Sequence, residues 1–346
     1  MSDLRFLPNH RRIRVGLDAL MKDFYDAKHP FTEGVMDFPQ QSANLPPDLP
    51  RGGLEEANYW LWMCHYMLGA TDSMTMARKL AFNLYPRYPQ LFNQDHLATL
   101  KPASITPALH KAELGFRSSE GEIPSAAVEN AKRINERWDG DIRNAFVEAG
   151  GDWRKLHKLL IASKRKGGLV GYGPKMAGML AFYLMRQQIV PYFPMPPQVD
   201  FHVMRVFWAC NFVVPCKTSG EQVTVLKNHK VTEFGIAIQG PLYSYILETD
   251  CNWLDLSDAL WTQSREMCRH SPSNLMRRDE EGDVLKEPIK WTPVVIQKYQ
   301  KSCGQCSLSA ICTNAIPQAP YYSRKATMLI AVGPREEPPY ADREMF

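Results

Sequence analysis

Leu169-Val170-Gly171-Tyr172-Gly173-Pro174-Lys175-Met176-Ala177-Gly178 is the stretch on which the fold turns. Upstream, Lys155 to Ser163 has helical periodicity that Gly167-Gly168 ends, and Pro174 stands where the first turn of a new helix accepts proline. Two helices therefore meet at a tight glycine hairpin. Glycines there leave backbone N–H groups unshielded, and the second helix adds partial positive charge at its start, a combination suited to phosphate. Lys164, Arg165 and Lys166 supply charge just before it, so the candidate DNA-contacting set is these three with Gly171, Tyr172 and Gly173. Taken alone, a G-x-G also marks a plain helical turn.

Further on comes Gln198-Val199-Asp200-Phe201-His202-Val203-Met204-Arg205-Val206. Asp200 precedes an apolar-periodic run, Phe201 to Cys210, and an isolated Asp at such a place reads as a helix N-cap. The order of the two motifs adds to that reading. The chain resembles the helix-hairpin-helix DNA glycosylase superfamily, whose members carry L-x-G-x-G-x-K-x-A followed by V-D-x-H-x-x-R. Every lettered position of both patterns is met by Leu169 to Ala177 and Val199 to Arg205. Ala70-Thr71-Asp72, with a helix ending at Leu84-Tyr85-Pro86, looks like the segment that opens the helical barrel in endonuclease III and its relatives. Where that family often has glutamine before the Ala, this chain has Gly69, and the spacer from Lys175 to Asp200 is longer, filled by Pro191, Pro194, Pro196 and Pro197.

The resemblance implies a mainly α, HhH-GPD fold: a six-helix barrel plus a second helical domain, built from both termini, that carries a [4Fe-4S] loop. It implies DNA as partner, double-stranded with one base flipped out, and a monomeric enzyme. An enzyme acting on a base in duplex DNA must extrude the nucleotide, because the glycosidic carbon is inaccessible in the stack. Base departure builds cationic character on the sugar, so a carboxylate beside it, here Asp200, stabilises the transition state and can activate a nucleophile. A lysine amine can attack the same carbon. In the family, a lysine at the place of Lys175 marks bifunctional enzymes that form a Schiff base and then cut the strand. The expectation is a glycosylase with AP-lyase activity; a monofunctional glycosylase and a non-catalytic, lesion-sensing DNA-binding protein are the alternatives. Oxidised purines, oxidised pyrimidines and bulky phage-type modified bases are all compatible with the motifs.

Eight cysteines in a chain with no secretory signal read as metal ligands or redox groups wherever they cluster. Cys303-x2-Cys306-x5-Cys312 forms such a cluster, and Cys268 stands at the end of the preceding helix. Four thiolates can hold zinc or an iron–sulfur cluster. The family's iron–sulfur members use C-x6-C-x2-C-x5-C, and here the last two of those spacings survive while the first gap is expanded by an insertion over 269–301. The resemblance thus favours [4Fe-4S] on Cys268, Cys303, Cys306 and Cys312, with zinc as the alternative. Lys298, Lys301 and Arg324 could bring that loop near phosphates. Cys64, Cys210, Cys216 and Cys251 have no grouping and read as small buried apolar side chains.

With 346 residues, 45% of them apolar and 23% charged, the chain has enough core for one large or two packed domains, and fibrous and disordered classes are excluded. Lys and Arg number 41 against 37 Asp and Glu, a net +4 that permits an acidic partner without requiring one. The longest run without Asp, Glu, Lys or Arg, Ala57 to Thr71, falls short of the roughly 20 residues a membrane helix needs. The expected location is the cytoplasm, in association with the nucleoid, and no membrane. Along the chain the reading is an N-terminal extension over 1–53 with one helix at Val15 to Asp26, the barrel over 54–190, and a second helical domain with Asp200 over 191–267. The four-cysteine loop follows over 268–313, and 314–346, with five prolines, forms a C-terminal arm. Period-two runs of Val, Ile and Thr are scarce, so strands are not expected.

Overall fold

The structure, a computed structural model, describes residues 4–33, 35–67, 73–114, 122–161, 167–223, 225–227, 229–268, 293, 297, 300–312, 321–323 and 328–330. The chain forms two compact units, Asp37–Gln198 and the pair of segments Met1–Met36 with Val199–Phe346. Unit boundaries thus fall at 36/37 and 198/199, where the sequence reading set them at 53/54 and 190/191. No helix among the described residues is long and apolar enough to cross a membrane.

The contiguous unit is helical: α2 (Leu54–Met67), α3 (Ser73–Lys79), α4 (Gln94–Thr99), α5 (Pro102–Lys111), α6 (Glu122–Trp138), α7 (Arg143–Ala149), α8 (Trp153–Ile161) and α9 (Pro174–Arg186). Two helices that are apolar on every side form its centre, as such helices must. In α2, Ala57 and Tyr59 to Cys64 are all buried, and in α9 every residue from Met176 to Met185 is. Trp60 of α2 stacks on Tyr183 of α9 with ring centroids 4.2 Å apart. Trp62 donates its indole N–H to Leu91 O at 2.6 Å, so its polar atom is satisfied inside the core. Burying each such ring contributes about 2–3 kcal/mol. A π-turn at Leu80–Leu84 carries α3 on to Tyr85, the point where the sequence places the helix end.

The other unit combines α1 (His10–Tyr25), α10 (Phe201–Ala209), α11 (His229–Thr249) and α12 (Trp253–Thr262) with strands β1 (Leu4–Pro8), β2 (Val213–Lys217), β3 (Val225–Lys227), β4 (Tyr321–Ser323) and β5 (Met328–Ile330). Ile13, Leu17, Leu20 and Met21 make one buried stripe on α1, and Asn9 caps it by accepting from Arg12 N at 3.1 Å. That stripe is why residues 4–25 are part of a core and not an extension. β1 pairs antiparallel with β2, Phe6 opposite Pro215, and a three-stranded sheet runs β3-β5-β4. The arm therefore supplies two strands that the sequence reading lacked. Three-residue strands are too short to show a period of two. α11 runs through Pro241, which removes one ladder bond without ending the helix.

Candidate active site and nucleic-acid interface

The glycine hairpin is built as the sequence predicts, in the contiguous unit. α8 buries Trp153, Leu156, Leu159 and Leu160, and Leu169 N returns to Leu160 O at 2.8 Å. Gly167 and Gly171 take positive φ of 77° and 79°, a left-handed turn that side chains resist. α9 then starts with Gly173 at its N-cap and Pro174 in its first turn. Its ladder opens with Ala177 N–H to Gly173 O at 3.0 Å, which leaves the amides of Lys175 and Met176 ahead of it without an intrahelical acceptor. Gly171 is exposed, and Gly173 and Lys175 are half-exposed. Lys164, Arg165 and Lys166 lie outside the described residues, as do Gly69 to Asp72.

Three residues that sequence reasoning missed hold this hairpin. Asn130, fully buried on α6, accepts from Val170 N at 2.6 Å and donates to Val170 O at 3.1 Å. The same amide nitrogen meets His65 Nε2 of α2 at 2.9 Å, so that ring nitrogen accepts and the imidazole is neutral. Burial lowers the His65 pKa to about 4, in agreement. Arg133, one turn along α6, donates Nη1 to Gly168 O and is paired with Glu129 at 2.9 Å. Tyr172, expected at the DNA surface, turns its ring inward against His65, with the hydroxyl facing the Cys64 thiol. Only 6% of Tyr172 is exposed, so its side chain cannot serve as a surface contact. A buried Asn inside an amphipathic helix offers no spacing signal, which is why these partners were not legible.

A cavity of about 640 Å³ opens beside the hairpin. Val170 and Gly171 form one wall, and Glu122, Ile123, Glu129 and Lys132 of α6 another. It offers an apolar floor with carboxylate acceptors and one ammonium donor at its edge.

Asp200 belongs to the other unit. It is the N-cap of α10, with Oδ1 accepting from His202 N at 2.8 Å and Val203 N at 3.2 Å. Oδ2 takes no hydrogen bond among the described residues, and the side chain is half-exposed. One carboxylate oxygen thus orients the group, and the second is available. His202 is anchored to Ser264 Oγ through Nδ1 at 3.1 Å.

Cys268 closes a π-turn at Gln263–Met267 that prolongs α12, and Cys303 to Cys312 form a compact loop in the same unit. Cys306 N bonds to Cys303 O at 3.3 Å and Cys312 N to Leu308 O at 2.8 Å. Gln263 Nε2 donates to Cys306 Sγ at 2.9 Å. Burial pushes the thiols of Cys303 and Cys306 up to about 12, and the charge of Cys312 adds to it in both. Cys268 is raised by burial first, then by Cys306, while Arg205 of α10 acts in the opposite sense. Cys303, Cys306 and Cys312 share this loop, and Cys268 precedes the gap over 269–302, most of which lies outside the described residues, as do Lys298 and Arg324. Among the described residues no three His, Cys, Asp or Glu are grouped as ligands of a single metal ion. Cys210, read from sequence as ungrouped, is fully buried, and its thiol is raised by burial first and then by Cys312, so it belongs to the same locality.

No protein-family model and no curated protein sequence matches the chain. Among solved structures, a trapped endonuclease III–DNA covalent intermediate with an estranged adenine matches at TM-score 0.44 and 15% identity, covering 75% of this chain and 88% of that one. A thermostable thymine-DNA glycosylase matches at TM-score 0.47 and 10% identity, over 87% and 95%. Both overlaps are modest.

Proposed function

We propose that the protein is a DNA glycosylase that removes a modified base from duplex DNA and cuts the strand at the resulting site through Lys175. The carrying observation is the joined motif in its folded form: a glycine hairpin with exposed backbone that leads into Lys175, followed in the chain by Asp200 as a helix cap with one oxygen uncommitted. The hairpin amides suit phosphate oxygens. The carboxylate of Asp200 stabilises positive charge on the sugar as the base leaves, and it orients or activates the attacking group. The Lys175 amine attacks the sugar carbon, forming a C–N bond as the C–N bond to the base breaks. The sugar ring then opens, the C1′–O4′ bond breaking with protonation of O4′ as the C=N bond of a Schiff base forms, and loss of a proton from C2′ expels the 3′ phosphate by elimination.

Borohydride reduction in the presence of oligonucleotide duplexes, each with a single modified base or an abasic site, should give a covalent adduct with the wild type and none with Lys175→Ala. An undiminished adduct from the variant removes Lys175 as nucleophile. The double capping bond of Asp200 favours a second reading, a DNA-binding module without turnover. In that case duplex is bound, yet no substrate in the panel yields base or adduct.

The four cysteines suit an iron–sulfur cluster: the donor set is all thiol, and three of the four lie within one compact loop. Cys268, Cys303, Cys306 and Cys312 would hold a [4Fe-4S] group, whose contribution is to cross-link the loop to α12 and not to supply chemistry at the base. Anaerobically purified protein should then be brown, absorb near roughly 400 nm and contain about four irons. Colourless protein with one zinc replaces the cluster and leaves the glycosylase reading in place.

A further inference from the structure

Residues 12, 210 and 311 are far apart in sequence, yet one guanidinium joins them. Arg12 donates Nε to Cys210 O at 3.1 Å and Nη2 to Ile311 O at 2.5 Å. Cys210 is the C-cap of α10, the helix whose N-cap is Asp200, and Ile311 immediately precedes Cys312. A second observation puts α1 at the same junction. Asn9 N donates to Phe212 O at 2.8 Å, just beyond Cys210, and a Cβ at Gly16 would overlap both Phe212 and Ile311. Only glycine lets α1 approach that closely.

α10 has nine residues, a length of about 14 Å at 1.5 Å per residue. Helices of that size are not stable in isolation, so the order of α10 is set by what holds its ends and flanks. Its C-terminal end is held by Arg12. Its N-terminal end is the capping pair that fixes Asp200. The cysteine loop and the carboxylate, distant in sequence, are thus separated by a single short helix.

We propose that Arg12 is a positioning residue, which clamps the four-cysteine loop to the C-terminal end of α10 and thereby fixes the cap geometry of Asp200 at the other end. The functional meaning of this coupling rests on the glycosylase reading, whereas the coupling itself does not.

The test is amide hydrogen exchange on the full chain as purified, comparing wild type, Arg12→Gln and Arg12→Lys. The lysine variant keeps the charge but lacks the planar fork that spans two carbonyls. The amides of His202 and Val203, which donate to Asp200, should exchange tenfold or more faster in Arg12→Gln and by an intermediate factor in Arg12→Lys. Amides of α9 should be unchanged. Unaltered exchange at His202 and Val203 in both variants overturns the proposal. So does an equal acceleration across α10, α11 and α12, which is ordinary loosening of the unit. A negative borohydride trap alongside the expected exchange pattern removes the glycosylase reading and leaves the clamp standing.

Discussion

Asn130 holds Val170 by both of its backbone polar groups, as a neighbouring β-strand would, with 2.6 Å to the N–H and 3.1 Å from the C=O. A side-chain amide thus replaces a strand at the base of the hairpin. Asn130→Ala removes the partner of the part-buried N–H and C=O of Val170 and of one nitrogen of the buried His65. The expected loss is about 2–4 kcal/mol in urea unfolding, because buried polar groups without partners lose their hydration as well as the bond. DNA affinity should fall with it. A variant with wild-type stability would show that water replaces the amide.

Gly171 and Gly173 separate backbone strain from ligand contact. Gly171 has φ of 79°, so Gly171→Ala should cost about 1–2 kcal/mol in the absence of DNA. Gly173 has no atom within 4 Å of an added Cβ, so Gly173→Ala should leave stability unchanged. If the hairpin lies on a phosphate, Gly173→Ala should still weaken duplex binding, by a similar factor for every sequence. Fluorescence anisotropy on unrelated duplexes measures both; full affinity in Gly173→Ala means that no phosphate sits there.

Replacement of Asp200 by Asn keeps an oxygen to accept from His202 and Val203 but removes the charge. Base release or adduct formation should fall by about 10²–10³, the usual loss when a transition-state charge partner is removed. The melting temperature should hardly move. Parallel losses of stability and activity would mean that capping is the residue's whole role.

Acid should destabilise the protein in a defined window. His65 and His157 are each lowered to about 4 by burial, against 6.5 in the unfolded chain. Between these values the unfolded state binds protons that the folded state refuses, so stability is full above pH 6.5 and drops as the pH falls toward 4. Each histidine can account for at most about 3 kcal/mol, from 1.36 kcal/mol per pKa unit. Urea titrations at several pH values should show the decline. His157→Gln should flatten it, and an unchanged slope in that variant would assign the effect to other groups.

The hairpin, Lys175 and the Asp200 cap were legible because each depends on local chemistry: glycine tolerance for positive φ, proline in a first turn, a carboxylate before an apolar helix. The four-cysteine set is a proposal from spacing, with the insertion after Cys268 bridged only by analogy to relatives. What was not legible is carried by long-range pairs. Tyr172 reads as a surface residue until His65 and Cys64 are seen to receive it. Cys210 reads as a small apolar side chain until Cys312 lies against it. The stripe on α1 could be seen, but its partners, residues 210 and 311, could not.

The contiguous unit is complete once Gln198 has been made, whereas the other begins with β1 and α1 and needs residues as late as β5. Chains are synthesised from the N-terminus at about 5–20 residues per second and tend to fold domain by domain. The hairpin unit can therefore finish first, while α1 waits with its apolar stripe and Arg12 unmatched until the last cysteines leave the ribosome. A chain that stalls before Cys303 would carry a finished hairpin unit joined to an unfinished one. The cysteine loop and, after it, β4 and β5 are thus the last parts of the fold to be supplied.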